Sequence, residues 1–150
     1  RTAELRFDIE MLAGRLVAII DWLRRRPDTV SLPIGLFGAS TGGGAALMAA
    51  AARSQGVAAV VSRGGRPDLA GTALAKVTTP TLLIVGGLDT PVIQMNRDAM
   101  KQMRGDVALE IVPGATHLFE EPGTLERVAD LAGAWFERYL QPAVSTRSAS

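Results

Sequence analysis

Val30-Ser31-Leu32-Pro33-Ile34-Gly35-Leu36-Phe37 leads straight into Gly38-Ala39-Ser40-Thr41-Gly42, and Gly43-Gly44 then opens an Ala-rich stretch ending at Arg53. The 24 residues from Thr29 to Ala52 carry no charge, a length that could span a bilayer. Their character changes midway, because Pro33, Ser40, Thr41 and five glycines interrupt the apolar run. A buried strand from Val30 to Phe37, a glycine turn and a helix from Thr41 to Arg53 explain the stretch better than a membrane span. A strand-to-helix turn this tight strains its central residue, and glycines two positions before and after relieve the crowding. Ser40 is then raised above the sheet at a helix N-terminus, where backbone N–H groups and the dipole favour developing negative charge. Five residues alone are a weak signal, and an N-cap serine at a Gly-rich helix entrance is the plain alternative.

Working outward, apolar residues at Ile9, Leu12, Ala13, Leu16, Val17, Ile20 and Leu23 predict an amphipathic helix over Asp8–Arg26. Arg24, Arg25 and Arg26 close it as a solvated basic end, and Pro27 stops it. Further strands are expected at Val57–Ser62, Thr81–Val85 and Val107–Val112. Helices are expected at Val92–Met103, with Thr90 as N-cap and Pro91 as first helical residue, and after a Thr124 cap. The last helix has an apolar face of Leu125, Val128, Ala129, Ala132, Trp135, Phe136, Tyr139 and Leu140. Trp22, Trp135 and Tyr139 read as core. Continuous apolar strands indicate burial on both faces, and their alternation with helices indicates right-handed crossovers in a parallel sheet. The expected fold is α/β, a parallel sheet of about four strands with flanking helices, in one domain over residues 1–140. Residues 141–150, rich in Ser, Thr and Ala, read as a disordered tail.

Composition narrows the chemistry. The 150 residues carry 16 Lys+Arg against 15 Asp+Glu, a net +1, which gives no reason to propose nucleic acid as a partner. No cysteine is present, so disulfides, a thiol nucleophile and Cys-based metal sites are excluded, and a single His excludes a His cluster. No Lys follows Gly43-Gly44, so the loop is not a Walker motif, and G-x-G-x-x-G is absent too. The first ten residues are mixed polar rather than signal-like, and a cytoplasmic location is expected.

A serine hydroxyl needs a base to take its proton. His117 is the one histidine, and it follows the fourth strand in Pro113-Gly114-Ala115-Thr116-His117. It lies past the carboxyl end of a parallel strand, the edge at which such sheets bind ligands. The base in turn needs a carboxylate to hold its tautomer. Asp89, past the third strand in Gly86-Gly87-Leu88-Asp89, is the candidate, with Asp68 as fallback. The order Ser40, Asp89, His117 has gaps of 89 − 40 = 49 and 117 − 89 = 28 residues. Each residue ends a successive expected strand, and that coincidence is far more specific than any one of them. Arg63 and Arg66 follow the second strand at the same edge. One of them could contact a substrate carboxylate, but a salt bridge to Asp68 or a solvated loop is the favoured reading. Glu120 and Glu121 are expected near the positive end of the last helix.

The Ser–acid–His order is that of the α/β-hydrolase fold. Ile34–Gly42, Thr81–Asp89 and Pro113–Phe119 resemble the C-terminal part of dienelactone-hydrolase-like α/β-hydrolases. Ser62–Asp68 and His117–Thr124 are similar to a subgroup sometimes fused to a phosphoribosyltransferase domain, although no phosphoribosyltransferase motif is found here. The resemblance implies Ser40 as nucleophile, Asp89 as acid and His117 as base, with the Thr41 N–H as one oxyanion donor. Dienelactone hydrolase proper uses a cysteine, so Ser40 points to the serine esterase-like branch. Family members also carry strands before the helix near Asp8, including the loop that donates a second oxyanion N–H. That front part is therefore expected from another polypeptide or an upstream segment, or two copies pair edge to edge through Val30–Phe37. The implied activity is cleavage of an ester, lactone or related acyl bond in a small-molecule substrate. Such hydrolysis, with water releasing the acyl group, would need no cofactor or metal. The alternatives are a non-catalytic binding or assembly module, and acyl transfer or perhydrolysis on the same three residues.

Overall fold

The computed structural model describes residues 2–141, and the expected tail lies outside them except for Gln141. Helix α1 (Thr2–Arg25) starts six residues before the expected Asp8 and buries Ile9, Ala13 and Ile20 on one face. Trp22 is 50% exposed rather than core. It stands two residues from Ile20, about 200° round the helix, and the Arg26 guanidinium lies 4.6 Å from its ring centroid.

Val30–Ile34 does not form a strand. The Val30 N–H donates to the Arg26 carbonyl, the Leu32 N–H to that of Thr29, and the Thr29 hydroxyl to that of Leu23. These bonds wind the chain into turns after α1, and Pro33 has no N–H to give a ladder. Strand β1 is therefore Gly35–Ala39. Helix α2 (Thr41–Ala52) follows, then β2 (Ala59–Arg63), β3 (Thr81–Gly86), α3 (Thr90–Met100), β4 (Val107–Val112) and α4 (Thr124–Tyr139). A 3-10 segment at Pro67–Lys76, kinked at Gly71, buries Leu69, Ala70 and Leu74 and was not foreseen. Its signal was Pro67-Asp68 at a helix start, with apolar residues four apart behind it.

All four strands are parallel, in the order β1-β2-β3-β4. One core layer packs Ile20, Leu47, Ala50, Leu74 and Ala99 from α1, α2, the 3-10 segment and α3 against Leu36 and Val60. The other packs Val128 and Ala132 of α4 against Val61, Leu82 and Ile84. Consecutive residues Val60 and Val61 thus serve opposite faces, as a pleated strand requires. Burial on both faces holds for β2 and β3 but not for β1, where Phe37 is 50% exposed. Among the described residues, β1 has a neighbouring strand on one side only.

Two cap expectations change. Asp89, not Thr90, occupies the N-cap position of α3, and it makes no side-chain cap bond. Gly123, at φ 81°, precedes α4, and Thr124 is its first helical residue. Leu125, expected in the core, is 54% exposed. Among the described residues, no helix is long and apolar enough to cross a membrane.

Candidate active site

Ser40 joins β1 to α2 at φ 52°, ψ −122°, a left-handed conformation uncommon for a residue with a Cβ. Its backbone is held on both sides by the chain after β2: the Ser40 N–H donates to the Arg63 carbonyl, and the Arg66 N–H donates to the Ser40 carbonyl. A Cβ at Gly38 would stand 2.7 Å from the Gly43 nitrogen and closer still to the Gly42 carbonyl, so this glycine is required. Gly42 is not, because a Cβ there meets nothing within 4 Å. Crowding therefore explains only one of the two flanking glycines. Gly43 passes against Ser62 and Gly65, and Gly44 against Arg66 and Ile9, so both permit close packing of α2. Thr41 opens α2, where helix geometry leaves the first N–H groups without intrahelical acceptors.

The structure brings Asp89 and His117 to Ser40. The Asp89 carboxylate, freed from capping α3, accepts from His117 Nδ1–H at 2.8 Å. A carboxylate can only accept, which puts the ring proton on Nδ1 and leaves Nε2 as an acceptor. The Ser40 Oγ–H donates to that Nε2 at 3.0 Å. Three side chains separated by 49 and 28 residues in sequence thus form one hydrogen-bonded line at the carboxyl edge of the sheet. Asp68 takes no part; its carboxylate pairs with Arg66.

Residues 5–141 match the dienelactone hydrolase family. The chain belongs to that family. It is 62% identical to a dienelactone hydrolase from Anabaena variabilis of known structure, with a TM-score of 0.88, over 94% of this chain and 65% of that one. An esterase domain from Rhodothermus marinus shares the fold at 21% identity, with a TM-score of 0.71, over 86% of this chain and 69% of that one. Two Mycobacterium tuberculosis proteins named phosphoribosyl transferase, from strains CDC 1551 and H37Rv, are 61% identical over 134 residues, 89% of this chain. The chain spans 30% of the length of those curated relatives.

In this family member the two arginines differ. Arg66 donates from Nε and Nη2 to the two carboxylate oxygens of Asp68, a pairing that raises its pKa and takes up that edge of the guanidinium. The Arg63 side chain lies 5.4 Å from the Phe119 ring centroid and reaches the Leu118 carbonyl at 3.5 Å. It also lines an apolar hollow of about 440 Å³ with Phe37, Leu118, Leu125, Val128 and Ala129. A clamp on the His117 loop has no local signal in the sequence. The Glu121 carboxylate turns back from α4 to accept from the Thr116 N–H at 3.0 Å and the Thr116 hydroxyl at 2.7 Å. Those bonds hold its carboxyl below the usual glutamate range. Phe119, at φ 56° and buried, completes the loop.

Proposed function

We propose that this chain carries the catalytic machinery of a serine hydrolase that cleaves an ester, lactone or related acyl bond. The observation that carries the reading is the Ser40–His117–Asp89 line, with donor–acceptor distances of 3.0 and 2.8 Å, at a serine in left-handed geometry. Ser40 Oγ forms a bond to the acyl carbon as His117 Nε2 takes its proton. His117 then hands that proton to the leaving oxygen as the carbon–oxygen bond breaks. Water attacks the acyl carbon and gives a proton to His117; the carbon–Oγ bond then breaks as His117 returns that proton to Ser40 Oγ, and the acid leaves. Asp89 orients the imidazole and stabilises its charged form. The Thr41 N–H supplies one oxyanion bond, and losing one such donor costs about 3 kcal/mol of transition-state stabilisation.

We place the second donor on polypeptide that pairs with the free edge of β1: an upstream segment, another chain or a second copy. Three features support this. β1 is unpaired on one side among the described residues. Phe37 stands half-exposed between the 440 Å³ hollow on the α4 face and one of about 300 Å³ beside Leu12 and Leu16 of α1. The chain also spans 65% of the Anabaena relative.

A fluorophosphonate probe tests the function. It should label the wild-type chain at Ser40 and leave Ser40→Ala unlabelled. Absence of label, or equal labelling of the variant, would favour a non-catalytic module. Product analysis with competing alcohol or peroxide acceptors would separate hydrolysis from acyl transfer.

A further inference from the structure

The segment Arg63–Arg66, running from the last residue of β2, touches both Ser40 and His117. Its backbone bonds both the N–H and the carbonyl of Ser40. Gly64, at φ 54°, packs on the imidazole: a Cβ there would stand 3.3 Å from His117 Cε1 and Nδ1. The Gly64 N–H donates to the Ile84 carbonyl on β3. The position of this one loop therefore sets the distance between the nucleophile and its base.

Among the described residues, one side chain donates a hydrogen bond to the backbone of this loop. Asn96, on α3 two turns beyond Asp89, is 0% exposed. Its Nδ2 donates to the Gly65 carbonyl at 3.2 Å and to the Val92 carbonyl at 2.8 Å. The second bond stays within its own helix turn, so the first is its one link to another element. Its Oδ1 is buried with no partner. An orphaned carbonyl in the interior lowers stability and offsets what the bond to Gly65 adds, so the amide brings little net stability. Stability therefore does not account for an amide here, whereas the hold on Gly65 does.

We propose that Asn96 is a positioning residue that fixes the 63–66 loop, and through it the Ser40 backbone and the His117 ring, in reacting register. The proposal rests on Ser40 acting as nucleophile. Asn96 also ties together both partners of His117, because α3 begins just after Asp89 while the loop hydrogen-bonds the Ser40 backbone.

Asn96→Leu and Asn96→Asp, assayed with a p-nitrophenyl ester and the fluorophosphonate probe, test it. Asn96→Leu removes the orphaned Oδ1 but strands the buried Gly65 carbonyl, so it should fold and melt close to wild type, while kcat and the labelling rate fall about 10- to 100-fold with KM unchanged. Asn96→Asp keeps the shape and can donate to Gly65 only when its buried carboxyl is protonated. Its activity should therefore fall as pH rises through a new ionisation that wild type lacks, a readout a purely structural role would not produce. If wild type labels at Ser40 and Asn96→Leu labels at the same rate, the positioning role is wrong while the nucleophile stands. If Asn96→Leu does not fold, a wild-type pH profile for Asn96→Asp overturns the proposal. If wild type is not labelled at all, both readings fall.

Discussion

Replacing each glycine that frames Ser40 with alanine should give opposite results, although both belong to the same five-residue pattern. At Gly38 the new methyl would lie 2.7 Å from the Gly43 nitrogen, where ordinary contact begins at 3.4 Å. The first turn of α2 must then retreat by at least 3.4 − 2.7 = 0.7 Å. The obstacle is backbone, pinned through Ser40 to Arg63 and Arg66, so no rotamer change relieves it. Overpacking of this kind costs about 3 kcal/mol, or roughly 6–12 °C in Tm for a chain of this size. At Gly42 the methyl meets nothing, and a helix gains about 0.5–1 kcal/mol when alanine replaces glycine. Gly42→Ala should melt about 1–4 °C higher. Thermal unfolding followed by circular dichroism at 222 nm, with phosphonate labelling in parallel, checks both. Wild-type melting and labelling in Gly38→Ala, or a fall of more than about 5 °C in Gly42→Ala, would refute the steric reasoning.

Asp89→Asn should leave KM near wild type and lower kcat about 10³–10⁴-fold, since the amide can present a donor to Nδ1 and favour the wrong tautomer; steady-state ester hydrolysis checks it, and a loss under tenfold would count against Asp89 as the orienting acid. The Glu121 carboxyl is held below its usual range by Thr116, so the stability it contributes is present above the unfolded glutamate value and is lost as pH falls through the folded one. Glu121→Gln should flatten the dependence of the urea midpoint on pH below about pH 5, and an unchanged slope would rule out the clamp as its source. The open edge of β1 should let isolated chains associate with rising concentration, and Phe37→Lys should suppress it. Light scattering measures this, and a wild-type chain that stays monomeric throughout would argue against that edge as a pairing site.

Much of the fold was legible because its signals are local. Apolar runs bounded by Gly and Pro marked β3 and β4 within a residue, and Thr41–Ala52 ended one residue from its expected limit. The misreadings share one cause, which is that hydrophobicity does not say which neighbour is available. Val30–Ile34 is as apolar as a strand, yet turn bonds from Arg26 and Thr29 claim its backbone. Trp22 carries a core-type side chain yet stands half-exposed, and Leu125 lines the open hollow beside Phe37 rather than a closed core. Glu121 precedes the start of α4 as expected, but its carboxylate finds its two donors on Thr116, five residues back.

By itself the sequence determined the α/β class, the order of the strands along the chain and the candidates Ser40, Asp89 and His117. Periodicity, glycine turns and strand ends are properties of neighbours in the chain. Tertiary structure alone decided which carboxylate meets the imidazole. Asp68 and Asp89 both follow strands, but Arg66 holds the first and α3 aims the second at Nδ1. It also decided that a buried amide on α3 meets the loop behind Ser40, a contact across 31 residues. Contacts of that kind depend on how crossovers stack helices over a twisted sheet, and no local pattern encodes them.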